Sequence, residues 1–92
     1  MKLIVDSGST KADWTAIDAS GRILFSTQTL GLNPEILSEQ QVIERLDNSS
    51  DILQNKENAN HLFFYGAGCG TEKAKTRLRQ LFENYFPNAD IV

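Results

Sequence analysis

The sequence is poor in most of the residue types that build specialised chemistry. It holds one cysteine, Cys69, and one histidine, His61. A single cysteine excludes an internal disulfide framework and leaves no cysteine cluster for zinc, so the expected setting is a reducing cytoplasm. His61 opens an apolar run with no partner motif for a catalytic base, which favours a strand-edge residue. Long hydrophobic stretches are missing too: Leu3-Ile4-Val5 is far too short for a signal-peptide core or a membrane span. Nor is there an excess of positive charge. The formal net charge of -3 argues against nucleic acid bound by phosphate neutralisation. Lys73, Lys75, Arg77 and Arg79 do cluster, but no aromatic residue is interleaved to stack on bases, and a solvated helix face accounts for them. Internal repeats, low-complexity tracts and linkers are also absent, and 92 residues accommodate one small domain but not two.

What is present reads as an alternation of strands and helices. Leu3-Ile4-Val5 is a continuous apolar run of the kind that marks a strand buried on both faces. After a Gly-Ser-Thr turn, Asp13 to Ile17 resumes β-type composition, Asp18-Ala19-Ser20-Gly21 is turn chemistry, and Arg22 to Leu30 forms a third strand. Gly31-Leu32-Asn33-Pro34 breaks that strand, and the proline keeps Asn33 out of helical geometry. Ser38 and Gln41 then form a capping box, Leu37 and Val42 a hydrophobic staple, and Val42, Ile43 and Leu46 an apolar stripe. Asn48-Ser49-Ser50 weakens this helix, with a further turn around Asp51 to Leu53, and Gln54 to Asn60 reads as an exposed connection. His61-Leu62-Phe63-Phe64-Tyr65 is a second apolar strand running into Gly66-Ala67-Gly68-Cys69-Gly70. Thr71 caps a helix whose residues Ala74, Leu78, Leu81, Phe82 and Tyr85 recur at spacings of three and four, Pro87 stops it, and Asp90-Ile91-Val92 begins another strand. The resulting order, β-β-β-α-β-α-β, predicts an α/β fold with a mixed sheet and helices on both faces. That order matches a ribonuclease H-like unit that is truncated at its last strand.

The segment Asp6-Ser7-Gly8-Ser9-Thr10-Lys11 places a carboxylate, a glycine, three hydroxyls and a lysine at the exit of a buried strand. Each has a use with a nucleotide. Glycine lets the backbone approach phosphates and helps turn N–H groups inward, the hydroxyls add donors, Lys11 adds a point charge, and Asp6 suits Mg²⁺ held through water. It is not a Walker A loop, because Gly-x-x-x-x-Gly-Lys-Ser/Thr is absent and a strand rather than a helix follows. Composition alone leaves a second reading open, a tight polar turn that merely joins two strands. Likewise Asn33-Pro34 by itself reads as a loop before a helix more readily than as a ligand contact.

The stretch Asp6 to Trp14 resembles the first phosphate motif of the actin, Hsp70 and sugar kinase superfamily. More narrowly, it is similar to the bacterial family that groups N-acetylglucosamine kinases with the BadF/BadG/BcrA/BcrD ATPases. Gly31-Leu32-Asn33-Pro34 resembles that family's Gly-x-Asn loop, and Phe64 to Gly70 its glycine-rich segment, so the resemblance spans essentially the whole chain. It implies an actin-type ATPase domain over residues 1–92, incomplete and without its second domain. It implies that Asp6 takes part in Mg²⁺ binding and that Gly8, Ser9, Thr10 and Lys11 contact the β- and γ-phosphates of ATP. Asn33 would hydrogen-bond a sugar hydroxyl, Gly31 would position that loop, and Gly66 and Gly68 would line the sugar side of the cleft.

The resemblance also implies what is missing. The family's catalytic aspartate lies beyond the strand begun by Asp90-Ile91-Val92, and its second phosphate motif and adenosine motif lie in a second domain. Phosphoryl transfer rests on positioning and charge stabilisation from both sides of the nucleotide, so these 92 residues alone are expected to be catalytically silent. The expected activity of the longer protein is ATP-dependent phosphorylation of N-acetylglucosamine or a related hexose. One rival is an ATPase of the BcrA/BcrD type that drives a partner without sugar chemistry; Cys69 alone is thin support for the iron–sulfur cluster such proteins hold. A dinucleotide-binding enzyme is another, disfavoured because Thr71 stands where the fingerprint needs glycine. A third is a non-enzymatic interaction module, a homodimer paired through the edge strand of Ile91 and Val92.

Overall fold

In a computed structural model, residues 1–66 and 71–92 are described. The elements in chain order are β1 (Lys2–Ser7), β2 (Lys11–Ile17), β3 (Ile23–Leu30), α1 (Glu39–Asp47), α2 (Ser50–Asn55), β4 (His61–Gly66), α3 (Glu72–Tyr85) and β5 (Asp90–Ile91). The expected order is observed with one addition. Asn48-Ser49-Ser50 does not merely weaken a helix; it divides it, because the Ser49 hydroxyl accepts the Ile52 N–H and starts α2 afresh. The Ser38 capping box forms in both directions, with Ser38 Oγ accepting from Gln41 N at 3.2 Å and Gln41 Oε1 from Ser38 N at 2.9 Å. Thr71 Oγ1 accepts the Ala74 N–H at 3.1 Å and starts α3, whose last residue, Tyr85, is followed by the cap Phe86 just before Pro87.

The strands form one five-stranded sheet in the order β3-β2-β1-β4-β5. β1, β2 and β3 are an antiparallel meander, while β4 lies parallel to β1 and β5 parallel to β4. The β2–β3 turn is fixed by Asp18, whose Oδ1 accepts from Ser20 N, Ser20 Oγ and Arg22 N. Gly21 sits there at φ +86°, a left-handed conformation that favours glycine.

Period-two alternation decides which side chains reach the core. Leu3, Val5 and Ser7 of β1, Ala12, Trp14 and Ala16 of β2 and Leu62 of β4 point to one face, against Val42 and Leu46 of α1, Ile52 of α2 and Leu78, Leu81 and Phe82 of α3. Each fully buried Leu, Val or Phe contributes about 1.5–3 kcal/mol relative to exposure. Trp14 is central: its ring meets Phe82 edge-on at 6.4 Å and Phe86 at 6.1 Å, and its Nε1 donates to Thr29 Oγ1 at 3.1 Å.

The expectation of helices on both faces is not met, nor is burial of Leu3-Ile4-Val5 on both sides. All three helices cover the Leu3/Val5 face, and Ile4, on the other, is 37% exposed beside exposed Lys2 and Asp6. The reason is topological. β3, β1, β4 and β5 share a direction, and both crossovers, β3 to β4 and β4 to β5, step the same way across the sheet. Right-handed crossovers that step in one direction deposit their helices on one face. Among the described residues no helix is long and apolar enough to cross a membrane.

Candidate functional site

β1, β3 and β4 run in the same direction, so their carboxyl ends lie along one rim of the sheet, the position where open α/β sheets bind ligands. Most of the residues singled out in the sequence meet there. β1 delivers Asp6 and the hairpin Gly8 to Lys11, β3 runs into Gly31 and Asn33, and Gly66 ends β4 directly beside Ser7. Gly68 and Cys69 lie outside the described residues.

The hairpin closes through Gly8 N–H to Lys11 O at 2.8 Å, with no left-handed residue among Gly8, Ser9 and Thr10. Gly8 is therefore not demanded by the turn, and a Cβ placed there would meet only Lys11 O at an ordinary 3.6 Å. What its missing side chain leaves is open space above the hairpin. The hydroxyls of Ser9 and Thr10 form no hydrogen bond among the described residues, and all four residues from Gly8 to Lys11 are exposed.

Gly31 is glycine for a different reason. A Cβ there would stand 2.7 Å from the Gly8 carbonyl oxygen and 2.9 Å from that of Ser9, both backbone atoms. The loop after β3 thus packs directly on the hairpin. Gly31 N–H donates to Thr10 O at 2.9 Å, and the buried Ser7 Oγ accepts the Leu32 N–H at 2.9 Å. Arg45 of α1 donates to Gly31 O from the other side. Asn33 Oδ1 accepts the Glu35 N–H at 2.9 Å, an Asx turn that fixes the amide, and among the described residues Nδ2 donates to nothing.

Two participants escaped the sequence reading. Ser7, first counted only as one hydroxyl of the motif, points into the core side and ties the loops together. Asp13 lies directly opposite Asp6 across the β1–β2 ladder, on the exposed face, and accepts from Gln28 Nε2 at 2.7 Å. The register that pairs them follows from a turn centred on Ser9-Thr10, so the signal was present in the hairpin. Among the described residues no group of three or more His, Cys, Asp or Glu could hold a metal. A cation beside Asp6 would take its remaining ligands from water and phosphate, as Mg²⁺ usually does.

The fold and rim define an α/β domain in which an exposed hairpin and the loop packed on it, with its fixed amide, lie together at the carboxyl end of the sheet. Over 99% of its length the chain superposes, with a TM-score of 0.80 and 35% sequence identity, on a Porphyromonas gingivalis protein assigned as an N-acetylglucosamine kinase. The chain is similar to an N-acetylglucosamine-kinase-type protein in both sequence and fold, and spans 32% of the length of that solved chain. No protein-family model and no curated protein matches it.

Proposed function

We propose that the chain forms the hairpin-bearing part of an ATP-dependent sugar kinase acting on N-acetylglucosamine or a related hexose. The observation that carries this reading is the hairpin itself: Gly8 has no conformational need to be glycine and has room for a Cβ, and Ser9, Thr10 and Lys11 beside it are exposed. The similarity to a kinase-assigned protein supports the same class. ATP and Mg²⁺ fit the residues present. Gly8, Ser9, Thr10 and Lys11 would contact the β- and γ-phosphates, and Asp6, beside Asp13, would hold Mg²⁺ through water. Bound there, the metal and nucleotide would supply the transferable phosphoryl group and neutralise its charge. Asn33 would donate from Nδ2 to a sugar hydroxyl, Gly31 would position that loop, and Gly66 would line the sugar side.

These 92 residues carry one wall of such a cleft, and transfer needs groups on both sides of the nucleotide. The chain by itself is therefore expected to bind Mg·ATP weakly and to transfer nothing. The test is a backbone NMR titration of the chain with Mg·ATP. Shifts confined to residues 6–13 and 31–33 at about millimolar ligand support the reading, as does their loss in Gly8→Val. Perturbations located elsewhere, or none at all, would refute the nucleotide site. For the sugar, calorimetry on the longer protein should detect a hexose, and failure with every hexose removes the kinase assignment.

A further inference from the structure

The free edge of β3 is open in a way that sheet edges seldom are. Protein sheets blunt their outer strands with charge, proline, bulges, covering segments or shortness. β3 is eight residues long, Ile23-Leu24-Phe25-Ser26-Thr27-Gln28-Thr29-Leu30, with no charged residue and no proline, and its one bulge against β2 is confined to its start at Ile23-Leu24, leaving Phe25 to Leu30 in regular register. The opposite edge, β5, has two residues, and its Ile91 carbonyl is already taken by Arg79 Nη2 at 2.6 Å.

The ladder tells which groups of β3 are free. Gly31 N–H donates to Thr10 O, and in an antiparallel ladder every second pair is hydrogen-bonded. Thr29, Thr27 and Phe25 therefore turn their backbone groups toward β2, and Ser26, Gln28 and Leu30 turn theirs outward. Among the described residues these outward groups meet no other backbone; Leu30 O accepts only the Thr29 hydroxyl. On the sheet face away from the helices, the strand is apolar at both ends and polar between. Leu24 is 52% and Leu30 59% exposed, with Ser26 and Gln28 between them. The register shift at Ala16/Ile17 adds Ile23 beside Leu24.

We propose that two copies of this chain pair antiparallel through β3 about a two-fold axis at Thr27, joining their sheets into one. Residues directly opposite in such a pairing share a face, which restricts the axis to a residue rather than a gap between residues. With the axis at Thr27, Ser26 exchanges backbone hydrogen bonds with the partner's Gln28, Leu24 meets the partner's Leu30, and Thr27 lies opposite its own copy. Apolar and Thr–Thr cross-strand pairs are favourable ones. Moving the axis to Ser26 sets Leu30 against the partner's Arg22, and moving it to Gln28 sets Leu24 against the partner's Leu32, which is buried. Near a two-fold axis a charged side chain would meet its own like charge. β3 has none to repel, so the strand is electrostatically compatible with itself. The apolar ends and the outward donors and acceptors are satisfied together only in this register.

A single edge pairing is small, at the transient end of interfaces, below about 1,200 Å². The dimer is therefore expected to be concentration-dependent, and sedimentation of the 92-residue chain from roughly 10 µM to 1 mM should show a monomer–dimer equilibrium. Leu24→Lys with Leu30→Lys places like charges opposite each other across the axis and should give a monomer with unchanged circular dichroism. Leu24→Lys with Leu30→Glu places opposite charges there and should restore the dimer, now weakened by salt. A wild-type chain that stays monomeric overturns the proposal. So does a Lys/Lys variant that still dimerises, which would point to the open face around Ile4 and Phe63, or a Lys/Glu variant that stays monomeric.

Discussion

Gly31 lies against the backbone of Gly8, close enough that a single added methyl group would stand 2.7 Å from the Gly8 carbonyl oxygen. Crowding requires glycine at position 31, whereas at position 8 there is room for a side chain and only the proposed nucleotide site gives glycine a use. That difference separates structure from function experimentally. Gly31→Ala must push the loop off the hairpin and is expected to cost about 1–3 kcal/mol in urea unfolding. Gly8→Ala meets no obstacle and leaves stability unchanged or raises it by about 0.4–1 kcal/mol, because alanine restricts the unfolded chain. The same Gly8→Ala change should weaken the Mg·ATP response of residues 6–13. A large stability loss in Gly8→Ala would return the hairpin to the role of a plain turn.

Ser7 supplies a second, independent tie. Ser7 is 3% exposed and its hydroxyl is the acceptor for the Leu32 N–H; an unpaired buried N–H costs about 1–3 kcal/mol. Ser7→Ala should lose that amount in denaturant unfolding and speed amide exchange at Leu32 selectively. Equal exchange at Leu32 in both proteins would show that the bond contributes nothing to holding the loop.

Much of this was legible beforehand because it is local. The capping box at Ser38 and Gln41, the stop at Pro87 and the hairpin from Asp6 to Lys11 each depend on residues within a few positions of one another, and each appears where the sequence puts it. The one-sided covering of the sheet was not legible in the same way. Leu3-Ile4-Val5 has the composition of a doubly buried strand, yet which face is covered depends on the direction of the crossovers, a property of the whole strand order. The inward turn of Ser7 and the pairing of Asp6 with Asp13 lie between these extremes. Both follow from strand parity once the turn is centred on Ser9-Thr10. Composition names the hydroxyls and carboxylates but not the face each one occupies.

The contact between α1 and α3 gives a pH signature. Tyr85, 9% exposed, donates its hydroxyl to Asp47 Oδ1 at 2.7 Å, with Lys56 Nζ 5.1 Å from its ring centre. Burial first, then the hydrogen bond and negative charge of Asp47, push the Tyr85 phenol well above its ordinary value. A proton held more tightly in the folded state than in the unfolded one contributes stability below the unfolded value of about 10, and that contribution is lost as pH climbs above it. Stability should be flat through neutral pH and decline above about pH 10. Tyr85→Phe should cost about 1 kcal/mol at pH 7 and flatten the alkaline decline. An alkaline limb of unchanged slope in the variant would assign the effect to other groups.

The pairing of Asp6 with Asp13 should cost the chain stability when no cation is present. Like charges directly opposite on neighbouring strands are destabilising, where favourable cross-strand pairs contribute roughly 0.2–1 kcal/mol. The Gln28 amide donates to Asp13 but offers nothing to Asp6. Asp6→Asn should therefore stabilise the metal-free chain by a similar amount, about 0.2–1 kcal/mol. A substitution that stabilises the fold and removes a ligand response is the pattern of a group kept for binding at some cost in stability. Unfolding followed with and without millimolar Mg·ATP checks both halves. The wild-type midpoint should rise with the ligand, whereas that of Asp6→Asn should start higher and respond less. If Asp6→Asn destabilises the metal-free chain, the carboxylate is a structural element of the hairpin and the assignment of Mg²⁺ to this position fails.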